Sequence, residues 1–338
     1  MTEIKGKFSV VVPVLNSKQH LRACLNSILA AIEQYGNAEL IVLDNGSEDG
    51  SYEILLNEYG GRAHVQQIRN IAVGALRNRG AALADGEFLA FVDSDCVIVP
   101  DYFEQSVRAL QRSGADATGS EYALEDFSNW IETTWYVIHI PSHDGLVKFI
   151  TAGNFVVRRQ AFLAVNGFDE TMISVEDMDL GVRLNKAGFK IYQAHAVRAF
   201  HPGGDKNLRT FFLKNTWRSI GMFGTLKNTL LFKPIITVVA HASLMILAVG
   251  ILFVPHLSLI MRVALSGLFF NLAPLLTILY RALQVKRVYK PFQSMLLYHL
   301  NFLAQLYAMW NIALSLGATP EVKHAMSVRL YRSAKAQQ

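Results

Sequence analysis

The sequence predicts an α/β fold with a mostly parallel sheet, followed by C-terminal membrane helices. Three observations carry this. Short β-branched runs alternate with helix-period patterns through the first two-thirds of the chain. Polar and acidic residues stand directly after those runs. Beyond residue 228 the acids all but disappear and long apolar stretches take over.

Phe8 to Val14 (FSVVVPV) reads as a buried parallel strand. A helix should follow, with Leu21, Cys24, Leu25, Ile28, Leu29 and Ile32 on one face, Ser17 as its N-cap and Gly36 as its stop. Glu39 to Leu43 is a second strand ending at Asp44, residues 64–68 a third, and Glu87 to Val92 a fourth ending at Asp93. Strands alternating with helices imply right-handed crossovers. Ligands of such sheets bind beyond the carboxyl ends of the strands, where this sequence has Asn16, Asp44 and Asp93-Ser94-Asp95.

The 338 residues are 51% hydrophobic and 17% charged. That charge content is well below the ~25% of a soluble domain, which excludes a disordered chain and points to lipid. Residues 1–228 carry 22 Lys+Arg and 26 Asp+Glu; residues 229–338 carry 10 Lys+Arg and only Glu321. The positive excess therefore lies beside apolar segments, as at a membrane surface rather than on nucleic acid. Cys24 and Cys96 are too few for a disulfide framework or a Cys-rich zinc site. The first residues lack the shape of a signal peptide, so the first domain is expected in the cytoplasm.

Residues 235–254 carry no charge and are long enough to span a bilayer; residues 257–280 form a second apolar stretch, with a turn at Pro255-His256. The next loop holds Arg281, Lys286, Arg287 and Lys290 without an acid, a positive-inside signal. Residues 293–316 are apolar but diluted by Gln293, His299, Asn301, Gln305 and Asn311. Two spans with one interfacial or dimer-packed helix are favoured over three. The expected organisation is a cytoplasmic α/β domain over 1–228, a membrane region over 229–320 and a basic tail over 321–338.

Asp93-Ser94-Asp95 after a strand suits a shared Mg2+ or Mn2+ that also holds a diphosphate, or simply an acidic turn. Asp44 to Ser51 is a turn-rich loop in which Asp44 can accept from a base or ribose. Gly74, Arg77, Asn78 and Gly80 mark either a helix start with surface arginines or a basic neighbour of a diphosphate. Glu176 and Asp177 open a helical pattern, where acids also serve as dipole partners.

Together these stretches resemble the family 2 glycosyltransferases. The matching segments are VVVPVLN (10–16), VLDNGSEDGS (42–51), Gly74 to Gly80, FVDSD (91–95), TAGNFVVRRQAFLAVNGFDE (151–170) and VEDMDL (175–180). The resemblance implies a GT-A catalytic domain. Pro13, Leu15 and Asn16 would border the nucleotide, Asp44 with Gly46 beside it would read the base, and Arg77 and Asn78 would lie near the nucleotide. Asp93 would contact ribose or metal beside Ser94, and Asp95 would be the main metal ligand. Gly153 and Asn154 would line the sugar pocket, Asp177 would be the catalytic base with Glu176 beside it, and His201 would be a further metal ligand.

The implied reaction is an inverting transfer from a nucleotide-diphosphate sugar, with UDP-sugar the expected donor, to a hydroxyl of a lipid-linked or membrane-surface saccharide. A polyprenyl-phosphate acceptor and a silent sugar-nucleotide-binding scaffold are the alternatives. The Gln-x-x-Arg-Trp motif of processive members is absent: residues 212–219 read FLKNTWRS. Trp130, Trp135 and Tyr136 are expected to stack on an acceptor, dip into the interface or fill a core. The expected partners are the donor, the acceptor, the bilayer and a second copy through the membrane helices, with no nucleic acid. The expected location is the inner or plasma membrane.

Overall fold

The computed structural model describes residues 6–123, 128–140, 143–172, 174–202, 205–224 and 232–314. The basic tail expected over 321–338 lies outside them. The chain divides into two compact units. One comprises Met1–Phe127 and His143–Gly204, the other Ser128–Ser142 and Asp205–Gln338.

In the first unit, β1 (Phe8–Val14) leads to α1 (Lys18–Tyr35) and β2 (Ala38–Asp44). Next come α2 (Ser51–Ile54), which continues as a π turn to Tyr59, then β3 (His64–Gln67), α3 (Val73–Leu83) and β4 (Phe88–Val92). The helix after β1 stops at Gly36, whose φ of 78° lets its N–H reach the Ile32 carbonyl. Ser17 occupies the N-cap position, but its hydroxyl bonds Ser94 Oγ at 2.6 Å instead of capping.

These four strands lie in the order β3-β2-β1-β4 and are all parallel, with Phe8 opposite both Ala38 and Phe88. The parallel pattern then breaks. β5 (Val97–Ile98), α4 (Tyr102–Ser113) and β6 (Ala117–Gly119) precede the segment that joins the second unit, where α5 (Trp130–His139) lies. After β7 (Gly145–Val147), β8 (Asn154–Arg158) runs antiparallel to β4, with Asn154 opposite Val92. Among the described residues the sheet has eight strands, completed beyond β8 by β6, β9 (Ile191–Gln193) and β7. The reversal at β8 matters for the site, because it brings the start of β8 to the carboxyl end of β4.

Period-2 alternation divides the core. Phe8, Val10, Val12 and Val14 face one cluster with Leu21, Leu25, Ile28 and Phe103 of the helices α1 and α4. Val11, Leu43, Leu89 and Phe91 face the other with Leu76, Phe162, Leu180 and Leu184, which come from α3, α6 (Arg159–Ala164) and α7 (Glu176–Lys186). Both faces are covered at the sheet centre, so β1 and β4 are buried along their whole length, whereas the edge strand β3 (HVQQ) is polar and partly exposed. A separate two-stranded ribbon pairs β5 with β10 (Ala199–Phe200).

The second unit is helical: α5, α8 (Leu208–Gly224), α9 (Phe232–Ile251), α10 (Leu259–Val285) and α11 (Pro291–Leu314). α8 and α5 belong with the apolar helices rather than with the sheet, so the compact division differs from a boundary at 228. Ile138, Ile220, Phe223, Val238, Tyr298 and Phe302 form the shared core that draws them there. Trp135 packs on His139, Phe211 and Tyr298 in this unit, the core role among those open to it; Trp130 is exposed. Arg287 is not a free loop charge: it donates to the carbonyls of Val137 and Ile140 and caps the end of α5. Among the described residues one helix, α10, is long and apolar enough to cross a membrane, while the apolar part of α9, Ile235–Ile251, is shorter. Ile246, Phe253, Leu259, Ile260 and Leu283 are all exposed.

Candidate functional site

Three loops at the carboxyl ends of β1, β2 and β4 supply the first part of the site. Pro13 and Val14 end β1 in register with Leu43 and Asp44. Asn16 adopts a left-handed φ of 50°, which asparagine tolerates, and its Oδ1 accepts from the Glu48 amide at 2.8 Å. Its own amide donates to Ser47 Oγ at 2.9 Å, so the Leu15-Asn16 turn and the 44–51 loop are one hydrogen-bonded rim. Asp44 is fully buried. Its Oδ2 accepts from the Gly46 and Ser47 amides and from Gln67 Nε2, at 2.9, 3.0 and 2.9 Å. Its Oδ1 is buried without a hydrogen-bond partner among the described residues. An orphaned carboxylate oxygen is costly, and a bound N–H would satisfy it.

The Asp93-Ser94-Asp95-Cys96 segment is a turn closed by a 2.9 Å bond from the Cys96 amide to the Asp93 carbonyl. Ser94 points to Ser17 and locks this turn to the end of the β1 loop. Asp93 accepts from Arg77 Nη2 at 2.7 Å and from the Tyr122 hydroxyl at 3.0 Å. Arg77, only 4% exposed, also pairs through Nη1 with Glu176. Flanked by Asp93 and Glu176, its guanidinium is held charged despite burial. Arg77 thus joins the metal-motif turn to α7 from inside, and its charge is not open to a diphosphate.

Most of the Gly74 to Gly80 run is also buried, with Asn78 half-buried and Arg79 exposed. Asn78 bonds the Phe168 carbonyl and amide at 2.8 and 2.9 Å and also Glu170. A Cβ at Gly80 would lie 2.3 Å from Val11 Cγ1, so glycine lets α3 seat on β1. Arg77 and Asn78, expected near the nucleotide, thus bond protein partners, and Arg77 stands directly behind Asp93.

Gly153 and Asn154 divide their roles. A Cβ on Gly153 would sit 2.0 Å from the Tyr122 hydroxyl and 2.4 Å from Asp93 Oδ2, so only glycine admits that pair. Asn154 is fully buried. Its Oδ1 accepts from Tyr102, and its Nδ2 donates to Ser120 and the Val197 carbonyl. Its side chain is a cross-link rather than a pocket wall.

Asp95, Cys96 and His201 place one ligand atom each within 4.8 Å of one another. His201 Nε2 is 3.5 Å from Asp95 Oδ1. The ribbon explains the meeting. Val97 pairs with Phe200, so in antiparallel register the next residue, His201, stands opposite Cys96. A carboxylate and an imidazole on this scaffold suit Mn2+ or Mg2+. Tyr122 packs its ring 4.8 Å from that of His201 while holding Asp93. Sequence reasoning missed Tyr122 and Cys96, since neither has a motif of its own; the proximity of Cys96 to Asp95 was the available signal.

Glu176 and Asp177 form the first turn of α7. Asp177 is half-buried and accepts from the Met178 amide at 2.8 Å and the Ala152 amide at 3.3 Å. Burial, with the Glu176 charge beside it, raises its carboxyl to about 7. Val175 precedes it at φ 59°, a left-handed conformation that is an outlier for a β-branched residue. Strain of this kind costs ~1–3 kcal/mol and gathers at functional sites. No sequence rule points to it.

Comparisons with known proteins identify the family. A model described as glycosyl transferase family 2 matches residues 9–164, and one described as glycosyl transferase family group 2 matches residues 88–314. The chain belongs to the family 2 glycosyltransferases.

Among the relatives of this glycosyltransferase is Glycosyltransferase AglE of Haloferax volcanii, 27% identical over 60% of this chain and 69% of its own. Succinoglycan biosynthesis protein ExoA of Rhizobium meliloti is 28% identical over 54% of this chain and 59% of its own. The mannosyltransferase PcManGT from Pyrobaculum calidifontis, solved with GDP-Man and Mn2+, aligns over 98% of this chain and 86% of its own. With 14% identity and a TM-score of 0.52, that likeness concerns the fold, which is GT-A.

Proposed function

We propose that this glycosyltransferase performs an inverting, metal-dependent transfer of one sugar from a nucleotide-diphosphate donor to a hydroxyl of a membrane-associated saccharide. The observation that carries the reading is Asp177: a carboxylate raised to about 7 at a helix start, in the unit that also holds Asp95 and His201. A general base works best with a pKa near the working pH.

The residues divide the work. The orphan Oδ1 of Asp44 is available to a base N–H, with Asn16 and Gly46 forming the rim around it. Asp95 and His201 would hold Mn2+ or Mg2+. When bound, the cation supplies neutralisation of the charge that grows on the leaving diphosphate. Asp93 is oriented for ribose or cation by Arg77 and Tyr122. Asp177 takes the proton of the acceptor hydroxyl as that oxygen attacks the anomeric carbon; the carbon–oxygen bond to the diphosphate breaks on the opposite face. The raised Asp177 favours a hydroxyl acceptor over a polyprenyl phosphate, which is already ionised and needs no base.

Membrane association is supported by α10 and by the exposed apolar residues of the helical unit. A relative named for succinoglycan biosynthesis supports a surface saccharide as acceptor. The catalytic unit would face the cytoplasm, where nucleotide sugars are made. The test is a donor screen with purified chain and membrane extract. UDP- and GDP-sugars are offered with Mn2+, and the product is traced by mass spectrometry. A glycosylated lipid that disappears with EDTA is expected. Transfer undiminished by EDTA would remove the cation from the mechanism.

A further inference from the structure

Cys96 takes no part in the reaction above, yet it stands in the cation site. Its thiol is buried, directly after Asp95 in the turn and near His201 just beyond the end of the β5–β10 ribbon. Sulfur is a poor ligand for Mg2+ and an indifferent one for Mn2+, but a strong one for Zn2+ and Cd2+.

Geometry favours such an ion. Tetrahedral zinc with bonds of ~2.0–2.3 Å places its ligand atoms roughly 3.3–3.8 Å apart. Asp95 Oδ1 and His201 Nε2 already stand at 3.5 Å, and all three ligand atoms lie within 4.8 Å of one another. Side-chain adjustments on the order of 1 Å close the set. One oxygen, one nitrogen and one sulfur then leave a single open position on a four-coordinate ion. A diphosphate that needs two positions must then force the ion beyond four ligands, whereas six-coordinate Mn2+ retains room for it.

We propose that Cys96 is a third, soft ligand through which Zn2+ or Cd2+ takes the Asp95–His201 site, displaces Mn2+ and holds the enzyme inactive. The site is therefore open to inhibition by thiophilic metal. On binding, the thiol proton passes to solvent and a sulfur–metal bond forms, with no change of oxidation state. This inference rests on the reading that Asp95 and His201 hold the catalytic cation.

The test uses the purified full chain in detergent and Cd2+ alone as probe. Because the chain has only Cys24 and Cys96, the ultraviolet sulfur-to-cadmium charge-transfer band has two possible sources. The band is expected at one Cd2+ per chain in wild type and in Cys24→Ser, and absent in Cys96→Ser. Electron paramagnetic resonance should show Cd2+ releasing UDP-supported Mn2+ from wild type. His201→Gln should weaken Cd2+, read from the same band, by at least the ~10–100-fold that loss of an outer-shell partner costs. That variant also carries the test if Cys96→Ser fails to fold.

A wild type without the band overturns the proposal. So does a band that survives Cys96→Ser, a His201→Gln variant of unchanged affinity, or Mn2+ that Cd2+ does not release. If UDP-supported Mn2+ never binds wild type, the reading of the catalytic cation fails, while the cadmium band still decides the role of Cys96.

Discussion

Asp177→Asn should cripple the enzyme and stabilise it at once. The carboxyl titrates at about 7 in the fold against an ordinary value of 3.8. A folded pKa above the unfolded one means the fold prefers the protonated form. That contribution is whole below pH ~4 and is lost as pH rises through about 7. The interval is about three pH units at ~1.36 kcal/mol each, on the order of 4 kcal/mol, set by burial first and Glu176 second. Asparagine carries no charge, so it escapes this penalty. It keeps the bond from the Met178 amide but turns a donor toward the Ala152 amide, which costs ~1 kcal/mol. After local relaxation roughly 1–3 kcal/mol of stabilisation remains at pH 8, or roughly 2–10 °C in melting temperature for a unit of this size. Near pH 4 the gain should vanish and leave the ~1 kcal/mol cost at the Ala152 amide. Transfer should fall ~10²–10⁴-fold, the worth of a positioned base. Wild-type transfer should rise with pH and level off above about 7. Thermal melts at a series of pH values and a transfer assay read both effects. Transfer within a few-fold of wild type removes Asp177 from catalysis; a variant no more stable than wild type at pH 8 refutes the burial argument.

The other predictions concern the groups around it. Arg77→Met strips the shared cation from Asp93 and Glu176, and denaturant titration at neutral pH should show a loss of roughly 3 kcal/mol or more, as for other broken buried pairs. Gly153→Ala forces the Tyr122 hydroxyl and Asp93 apart, so stability should drop by ~1–3 kcal/mol and transfer with it; an unperturbed variant would mean the close approach is not real. Asp95→Ala should abolish the Mn2+ dependence of UDP binding in calorimetry, and an unchanged dependence would place the cation elsewhere. For the membrane, α10 is 27 residues and about 40 Å long, more than the ~30 Å hydrocarbon core. In sealed vesicles, a cysteine at Ser258 should label from the non-cytoplasmic side and one at Gln284 from the cytoplasmic side. Labelling of both from one side would lay α10 along the surface.

Much of this protein is determined locally. Apolar runs and terminal polar residues identify β1, β2 and β4 and the loops that follow them, because a buried parallel strand is mostly apolar along its length. The helix after β1, its buried face and its stop at Gly36 follow from the same short-range rules. The motifs single out the candidate residues Asp44, Asp93, Asp95, Asp177 and His201. What each side chain touches was decided by the tertiary structure. Whether Arg77 meets a diphosphate or two carboxylates depends on α7 arriving beside α3, some hundred residues later in the chain. Asn154 reads as a pocket residue until Ser120, Val197 and Tyr102 surround it. Gly153 owes its identity to the Tyr122–Asp93 pair it faces, and Cys96 meets His201 only through the antiparallel β5–β10 pairing. The reversal of β8 against β4 has no local signature, since an apolar strand reads alike in either direction. Hydrophobic pattern reports burial, which is a property of each residue. Direction, partner and charge environment are properties of pairs, and those exist only once the chain has closed on itself.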